Sequence, residues 1–213
     1  MSDRSKVFLL WLGLLLVFVW SVIHPHDLFT WFLEVVPAII GMIVLVLTYP
    51  KFKFTIFAYL LMAIHATILM IGGHYTYAEV PLFNWIRDVF ELSRNHYDRL
   101  GHFVQGFVPA IIVREVLLRK SPLTRGKWLF FIVVSICLAI SAAYELFEWG
   151  VAELTGTAAD SFLGTQGDVW DTQKDMAFAL IGAIISLLTL GKLHDRFLNK
   201  LAKDPVQKEP GGP

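Results

Sequence analysis

Carboxylates and imidazoles gather at three places in the chain, each beside a long apolar run. Such groups are costly to desolvate at a membrane, so a cluster of them indicates a functional site. The chemistry open to them is acid–base catalysis or the binding of a cation. The residues in question are Asp98, His102 and Gln105, then Glu145 and Glu148, and finally Asp168, Asp171 and Asp175.

The spacing within the first two groups places their side chains on common helical faces. Asp98 and His102 are four residues apart, and Glu145 and Glu148 are three apart. Residues at these separations are neighbours on one side of a helix. Gln105 follows one turn deeper in the same apolar run as His102.

The third group forms a stripe if its segment is helical. Asp168, Asp171 and Asp175 occur at positions i, i+3 and i+7, directly before an apolar run. A helix over this segment would present one acidic line entering the membrane. His74 follows another apolar run and could join the same surface.

Two chemical roles are open for these residues. The candidates for acid–base catalysis are Asp98, His102, Glu145 and Glu148. The candidates for binding Mg²⁺, Mn²⁺ or Zn²⁺ are His102, Glu145, Glu148, Asp168, Asp171 and Asp175. Hard oxygen ligands with one or two imidazoles suit these cations. Because the chain has no G-x-S-x-G or H-E-x-x-H motif, the case for an enzyme depends on the cluster alone.

A purely structural role would explain part of the same pattern. Asp98 and Asp168 could cap helix N-termini, a contribution of about 0.5–2 kcal/mol each. Arg99 and Lys174 could neutralise some of the acidic charge. These two positive charges still face the five carboxylates of Asp98, Glu145, Glu148, Asp171 and Asp175 at one boundary, and a divalent cation or a cationic headgroup would fill the deficit.

Composition places these residues in a membrane protein. Hydrophobic residues make up 56% of the chain and charged residues 17%, whereas soluble domains are about 45–50% apolar. The charges are clustered between long apolar runs, which is typical of membrane spans joined by short loops. The formal net charge of zero argues against a nucleic-acid partner, which would require a basic face.

The apolar runs predict an all-α, polytopic membrane bundle of six transmembrane helices. The first run has 17 residues, longer than the roughly 7–15 of a signal peptide, and no A-x-A site follows it. The predicted spans are 7–23, 29–48, 54–71, 98–118, 128–149 and 175–190. They form one membrane domain over 1–203, followed by a Pro/Gly-rich, disordered cytoplasmic tail over 204–213.

The loop after the third span has the pattern of an amphipathic helix. Its apolar residues recur at helical spacing, and they are Leu82, Phe83, Ile86, Val89 and Phe90. Charged residues occupy the other side, and Pro81 suits a first turn. This pattern predicts a short interfacial helix from Leu82 to Ser93 in the plane of the lipid headgroups. The alternative is a helix packed over the outer mouth of the bundle.

Polar groups are scarce deeper in the spans. His65 is the only titratable residue near the middle of one, and Arg114 and Glu115 lie within snorkelling reach of the lysine- and arginine-rich side. No span is interrupted by a Gly-Pro pair, and no half of the chain repeats the other. A transporter is therefore the less favoured class.

Three stretches resemble the YjdF-type family of bacterial inner-membrane proteins. They are HYDRLGHFVQGFVPAIIVRE at 96–115, YELFEW at 144–149 and the D-x-W-D-x-x-x-D-M run at 168–176. The resemblance covers nearly the whole chain. It implies an inner-membrane protein of a group with no settled biochemical activity.

The chain is more distantly similar to the VanZ-like family. The D-[KR]-x-x-H-F motif of that family matches Asp98, Arg99, His102 and Phe103. Its later D-x-x-x-N/A-x-x-G element is echoed by Asp175, Ala179 and Gly182, with alanine where asparagine is often found. VanZ-like proteins are associated with reduced susceptibility to glycopeptide antibiotics, so this resemblance implies a role in the cell envelope.

Two classes of function fit these observations. One is a cation-assisted binder or enzyme that acts on a phosphate-bearing lipid or lipid-linked headgroup at the outer membrane boundary. The other is a non-catalytic membrane scaffold or envelope-resistance factor whose acids serve only structure. In both classes the lipid bilayer is a partner and nucleic acid is not.

Lysine and arginine predict the orientation, because cytoplasmic loops carry the positive charge. Thirteen lie in the N-terminal segment, the loops at 49–53 and 119–127, and the C-terminal segment. Four lie towards the opposite face, and they are Arg87, Arg94, Arg99 and Lys174. We therefore expect a multi-pass protein of the bacterial cytoplasmic membrane with both termini in the cytoplasm.

Reporter fusions test this orientation. A reporter fused at Pro213 should be active in the cytoplasm, and one inserted at Thr157 should be active in the periplasm, because the charge bias separates these two positions. A periplasmic signal from the fusion at Pro213 would contradict the orientation.

Overall fold

The regular structure of the chain is helical. The computed structural model describes residues 3–156 and 160–203, and within them we find no strand. The helices are α1 (Asp3–Val22), α2 (Leu28–Thr48), α3 (Ile56–Tyr75), α4 (Pro81–Val89), α5 (Tyr97–Lys120), α6 (Lys127–Thr155), α7 (Asp160–Leu163) and α8 (Asp171–Ala202). A 3-10 helix, Tyr77–Glu79, links α3 to α4. Six of them, α1, α2, α3, α5, α6 and α8, are long and apolar enough to cross a membrane, which confirms the predicted bundle.

Some helices extend beyond the predicted spans. The sixth span was predicted over 175–190, whereas α8 covers Asp171–Ala202. The fifth was predicted to end at Trp149, whereas α6 continues to Thr155. In α8 the added turns carry charged residues, and ion pairs with Arg99 and Arg114 of α5 hold these turns where hydropathy alone predicts an end. The predicted tail at 204–213 lies outside the described residues, so the division into one domain and a tail stays a prediction.

The amphipathic helix is shorter than predicted. It covers Pro81–Val89 rather than Leu82–Ser93, because Glu91 adopts a φ of 50°, which is incompatible with a continuing right-handed helix. The ring of Phe83 packs edge-on against Tyr97. The exposed apolar residues of this region are Leu82, Trp85, Val89 and Phe90. These exposed side chains suit contact with lipid, and the position of α4 at the membrane surface stays a prediction.

The bundle is organised around α5 and α8. The beginnings of the two helices are paired by Arg99 and Asp175, and their later turns by Arg114 and Asp195, so the helices run in the same direction. Helix α6 packs against both, α3 packs against α5, and α1 and α2 pack against α3. We call the end at which α5 and α8 begin the acidic end, and the opposite end the basic end.

Small residues allow α5 and α8 to approach closely. A β-carbon on Gly106 would lie 1.8 Å from the carbonyl oxygen of Ala179, and one on Gly182 would lie 2.1 Å from that of Phe103. The backbones therefore touch where the helices cross, as small residues permit in membrane proteins. This contact gives Ala179 and Gly182, two positions of the predicted VanZ-like element, a packing role.

A buried polar network joins the same helices at the basic end. Glu115 is fully buried and accepts hydrogen bonds from the Thr55 backbone N–H at 2.8 Å and from the Thr55 hydroxyl at 2.8 Å. His194 Nε2 lies 3.0 Å from Glu115, and its Nδ1 lies 3.0 Å from Arg114. The sequence placed Arg114 and Glu115 within snorkelling reach of the membrane surface. The structure instead holds both side chains inside the bundle.

The glycine contact generates a test. Gly182→Ala should lower the thermal unfolding midpoint of the detergent-purified protein, because its methyl group would overlap the Phe103 carbonyl, and overpacking costs about 1–3 kcal/mol. Gly191→Ala, on the same helix with open space around it, is the matched control. It should be neutral or stabilising by up to about 1 kcal/mol. Equal shifts in the two variants would contradict the close crossing.

Candidate functional site

Two loops meet at the acidic end and fix the entry into α5 and α8. The Asn95 backbone N–H donates to Gln166 Oε1 at 2.9 Å, and Gln166 Nε2 donates back to the Asn95 carbonyl at 3.0 Å. The Asn95 side chain is fully buried and donates to the Val80 carbonyl at 3.1 Å and to Asn84 Oδ1 at 2.8 Å. The segment between α4 and α5 is thereby tied to the segment between α7 and α8.

Two buried arginines neutralise much of the acidic stripe. Arg94 and Arg99 are 5% and 4% exposed, and both form ion pairs with Asp171 Oδ1. Arg99 also pairs with Asp175, and Arg94 reaches Asp98 Oδ2 at 3.3 Å. Arg94 was not among the predicted neutralising residues. Its spacing of four residues from Asp98, the separation of neighbours on one helical face, was the signal that the sequence offered.

Asp168 lies at the edge of this network. Its carboxylate accepts from Lys174 Nζ at 2.6 Å and from Arg99 Nη2 at 3.2 Å. The ammonium of Lys174, with the backbone N–H of Trp170, lowers the pKa of the Asp168 carboxyl. Asp168 precedes α8 and is partly exposed to solvent. The predicted acidic stripe of Asp168, Asp171 and Asp175 therefore exists, but only Asp171 and Asp175 enter the bundle.

His102 lies at the centre of the cluster, where oxygen atoms face both of its ring nitrogens. Nδ1 is 3.1 Å from Gln105 Oε1 and 3.6 Å from Glu145 Oε1. Nε2 is 3.5 Å from Asp98 Oδ1 and 3.9 Å from Asp175 Oδ1. An amide oxygen can only accept, so with this amide orientation Nδ1 carries a proton and donates to Gln105. Nε2 is then free to hold a second proton or to bind a cation between the two carboxylates.

The donor atoms around His102 Nε2 fit a cation. One atom each from Asp98, His102 and Asp175 lie within 4.8 Å of one another, and all three residues are buried. Two carboxylates and one imidazole suit Mn²⁺ or Zn²⁺, and with water ligands also Mg²⁺. Gln105 supplies the outer hydrogen bond that orients a ligating histidine.

The two glutamates of α6 lie on the other side of His102. Glu145 is buried beside Thr172 of α8, and its Oε1 has no hydrogen-bond partner in the described part of the chain. Glu148, one turn later, is half-buried and within electrostatic range of His102. Neither forms an ion pair with an arginine in the part of the chain that the structure describes, so the described guanidinium groups neutralise the side of the cluster that faces α8.

A partly open cleft of about 350 Å³ reaches His102 from the unneutralised side. It lies over α5 between α6 on one side and α2 and α3 on the other, and Pro37, His65, Gln105, Ile140 and Tyr144 are among its lining residues. Ile140 is 41% exposed, so the cleft extends to the outer surface of the bundle. Its walls belong to predicted spans, and lipid is therefore the medium that it meets. Helix α7 packs against both α2 and α6 at the acidic end of the cleft.

Glu34 is a further buried acidic group, near the cleft-lining Tyr77, that the predicted site did not include. It is 2% exposed, on α2, and neither of its carboxylate oxygens has a hydrogen-bond partner among the described residues. Burial, followed by the negative charge of Glu34, raises the pKa of Tyr77 far above its usual range. A lone carboxylate inside the second apolar run was the signal that could have identified Glu34.

Two predicted residues behave differently from the cluster. His74 does not join it, because its ring packs against Trp20 at a centroid distance of 4.3 Å and its Nδ1 lies 3.2 Å from the Ser21 carbonyl. Asp98 does not cap α5, because its side chain lies within the first turn and contacts Arg94 and His102. The structure thus brings together Asp98, His102, Gln105, Glu145, Asp168, Asp171 and Asp175, with Glu148 nearby.

The comparisons with known proteins agree with this architecture. The chain is similar to the inner membrane protein YjdF of Escherichia coli (strain K12), with 47% identity over 189 residues that cover 89% of this chain and 90% of the relative. No solved structure matches the chain significantly. The VanZ-like resemblance stays a prediction. The family model for predicted membrane proteins of type DUF2238 matches residues 7–196, and the chain therefore belongs to the DUF2238 family.

Proposed function

We propose that this integral membrane protein binds a divalent cation at Asp98, His102 and Asp175, and that the cation holds the phosphate of a lipid or lipid-linked headgroup. The observation that carries the proposal is the geometry around His102. Three buried donor atoms lie within 4.8 Å of one another, and Gln105 orients the imidazole so that Nε2 faces both carboxylates.

Charge supports a cation as the link to phosphate. The carboxylates of the cluster outnumber the arginines and Lys174 that contact them, and Glu145 and Glu148 have no arginine partner among the described residues. A bare phosphate would be repelled by this surplus of negative charge, whereas a bound divalent cation reverses the local charge. The apolar cleft beside His102 suits the hydrocarbon part of such a lipid.

A scaffold is the alternative, and the arginine network favours it. Arg94 and Arg99 satisfy Asp171 without any added ion, so these residues serve structure in either case. The two functions differ at His102, whose Nε2 the scaffold leaves between two carboxylates without a bound cation. Acid–base catalysis by Asp98, His102, Glu145 or Glu148 would use the same groups once a substrate was bound.

Thermal unfolding of the detergent-purified protein separates the two functions. Mn²⁺, Zn²⁺ or Mg²⁺ should raise the unfolding midpoint, because a ligand at 100 times its dissociation constant contributes about 2.7 kcal/mol, or roughly 5–10 °C for a chain of this size. His102→Gln should abolish the shift. His74→Gln, which changes a histidine outside the cluster, should retain it.

A second variant keeps the test decisive if His102→Gln does not fold. Gln105→Leu removes the orienting hydrogen bond and should weaken cation binding by about 10–100-fold. A wild-type protein that responds to none of the three cations, or a His102→Gln variant that responds fully, would contradict the proposal and favour the scaffold.

A further inference from the structure

A recess of about 350 Å³ lies at the basic end of the bundle, at the opposite end from His102. It is formed by the end of α5, the loop that follows it and the last turns of α8. Its lining residues include Leu118, Arg119, Arg125, Leu198, Asn199 and Leu201. Two guanidinium groups thus share one recess with three leucine side chains.

Arg119 is fixed in place by contacts on one side of its guanidinium group. Its Nη1 donates to the Lys53 carbonyl at 2.6 Å and to Glu115 Oε1 at 2.9 Å, and the group lies 3.9 Å from the centre of the Phe52 ring. A guanidinium has five N–H donors, and these two bonds use only those of Nη1. The Nε and Nη2 groups form no hydrogen bond among the described residues, so they can bind an anion without breaking an existing contact.

Arg125 presents its terminal nitrogens to the surface. Its Nε donates to Asp195 Oδ1 at 2.8 Å, which orients the side chain, and its two terminal nitrogens have no hydrogen-bond partner in the described part of the chain. The side chain is 53% exposed, so a ligand can reach it. Paired N–H groups of this kind bind two oxygen atoms of one phosphate.

The charged groups around the recess leave an excess of positive charge. Within the described residues, Arg114, Arg119 and Arg125 form ion pairs with only two acids, Glu115 and Asp195. Asp195 is shared, because it accepts from Arg114 at 2.7 Å as well as from Arg125. Three guanidinium charges therefore face two carboxylates, and the recess favours an anion.

The ends of α5 and α8 do not cancel this preference. The C-terminal end of a helix carries a partial negative charge, which would disfavour an anion. Lys120 lies in the last turn of α5 and Lys200 in the last turn of α8. These two ammonium groups offset the negative helix ends, so the excess guanidinium charge still determines the ligand.

An exposed tryptophan indicates the depth of the recess in the membrane. Trp128 lies in the first turn of α6, is 75% exposed and packs edge-on against Phe131. Tryptophan is enriched at the membrane–water interface. Because Arg125 precedes Trp128 by only three residues, the recess lies at the depth of the lipid headgroups. Its leucines are then placed to contact acyl chains.

We propose that this recess binds an acidic phospholipid, with the phosphate between Arg119 and Arg125 and the acyl chains against Leu118, Leu198 and Leu201. A net negative charge favours such a lipid over a zwitterionic one, whose ammonium group would meet the same excess of positive charge. The site is independent of the cation site at His102. With the orientation predicted from lysine and arginine, the lipid belongs to the cytoplasmic leaflet.

Native mass spectrometry of the detergent-purified full chain with added lipid tests the site. Phosphatidylglycerol should bind about tenfold more tightly than phosphatidylcholine with the same acyl chains, since one charge-assisted contact is at stake. Arg125→Gln should reduce this preference to about twofold or less for the same reason. Asp195 keeps Arg114 as a partner in this variant.

The matched control is Arg196→Gln, which makes the same change of charge at an exposed position of α8 outside the recess. It should leave the preference unchanged, because exposed charges are screened at physiological ionic strength. Equal binding of the two lipids, an unchanged preference in Arg125→Gln, or an equal loss in Arg196→Gln would overturn the site.

Soluble phosphates provide a test that needs no variant and separate a lipid from a free anion. Inorganic phosphate and glycerol 3-phosphate carry the anionic group without acyl chains, so they lack the contacts with the three leucines. Neither should displace phosphatidylglycerol from wild type at the concentration at which the lipid binds. Displacement by either compound at that concentration would assign the recess to a soluble phosphate and overturn the lipid.

Discussion

The structure depends on the pairing of two buried arginines with the aspartates of α8. Removing an ion from water costs several kcal/mol even in real proteins, and only close, multiple partners repay that cost. Arg99 contacts Asp171 and Asp175 and also donates to the Asp171 carbonyl at 3.1 Å. Arg94 donates to the Gly164 carbonyl at 3.0 Å as well as to Asp171. These bonds hold the first turns of α5 and α8 in one arrangement.

This arrangement divides the acidic end into two sides. Towards α8, Arg94 and Arg99 pair with the aspartates, and Asp171, which both arginines contact, serves structure. Towards α2 and α6, Glu34 and Glu145 form no ion pair with an arginine of the described chain, and the cleft on this side is lined by His102 and Tyr77. His102 lies at the boundary, with Nε2 facing Asp98 and Asp175 and Nδ1 facing Gln105. A protein that needed its acids only for packing would neutralise both sides, and this asymmetry is the physical basis of the proposed lipid site.

Hydropathy was sufficient to predict the six spans, because burial in lipid requires long apolar helices. It failed at the ends of α8, where charged turns are stabilised by partners distant in sequence, such as Asp195 with Arg114 at 2.7 Å. The candidate site could be predicted from the sequence because its residues recur at helical spacing near one membrane boundary. The role of Arg94 and the isolation of Glu34 depend on which helices become neighbours, and local periodicity carries no information about that. His74 is the opposite case. The sequence places it near the same membrane boundary, but the structure does not bring it into the cluster.

The most direct test is a double-mutant cycle between Arg99 and Asp175, measured as free energies of unfolding in detergent. Arg99→Gln should cost about 3–5 kcal/mol, because it leaves the buried carboxylate of Asp175 without its arginine. Asp175→Asn should cost less, about 1–3 kcal/mol, because Arg99 keeps Asp171 and Asp168 as partners. The double variant should lose less than the sum by about 1–3 kcal/mol, the coupling expected for residues in one network. Costs that add to within about 0.5 kcal/mol would mean that the two residues act independently, and the ion-paired framework would be wrong.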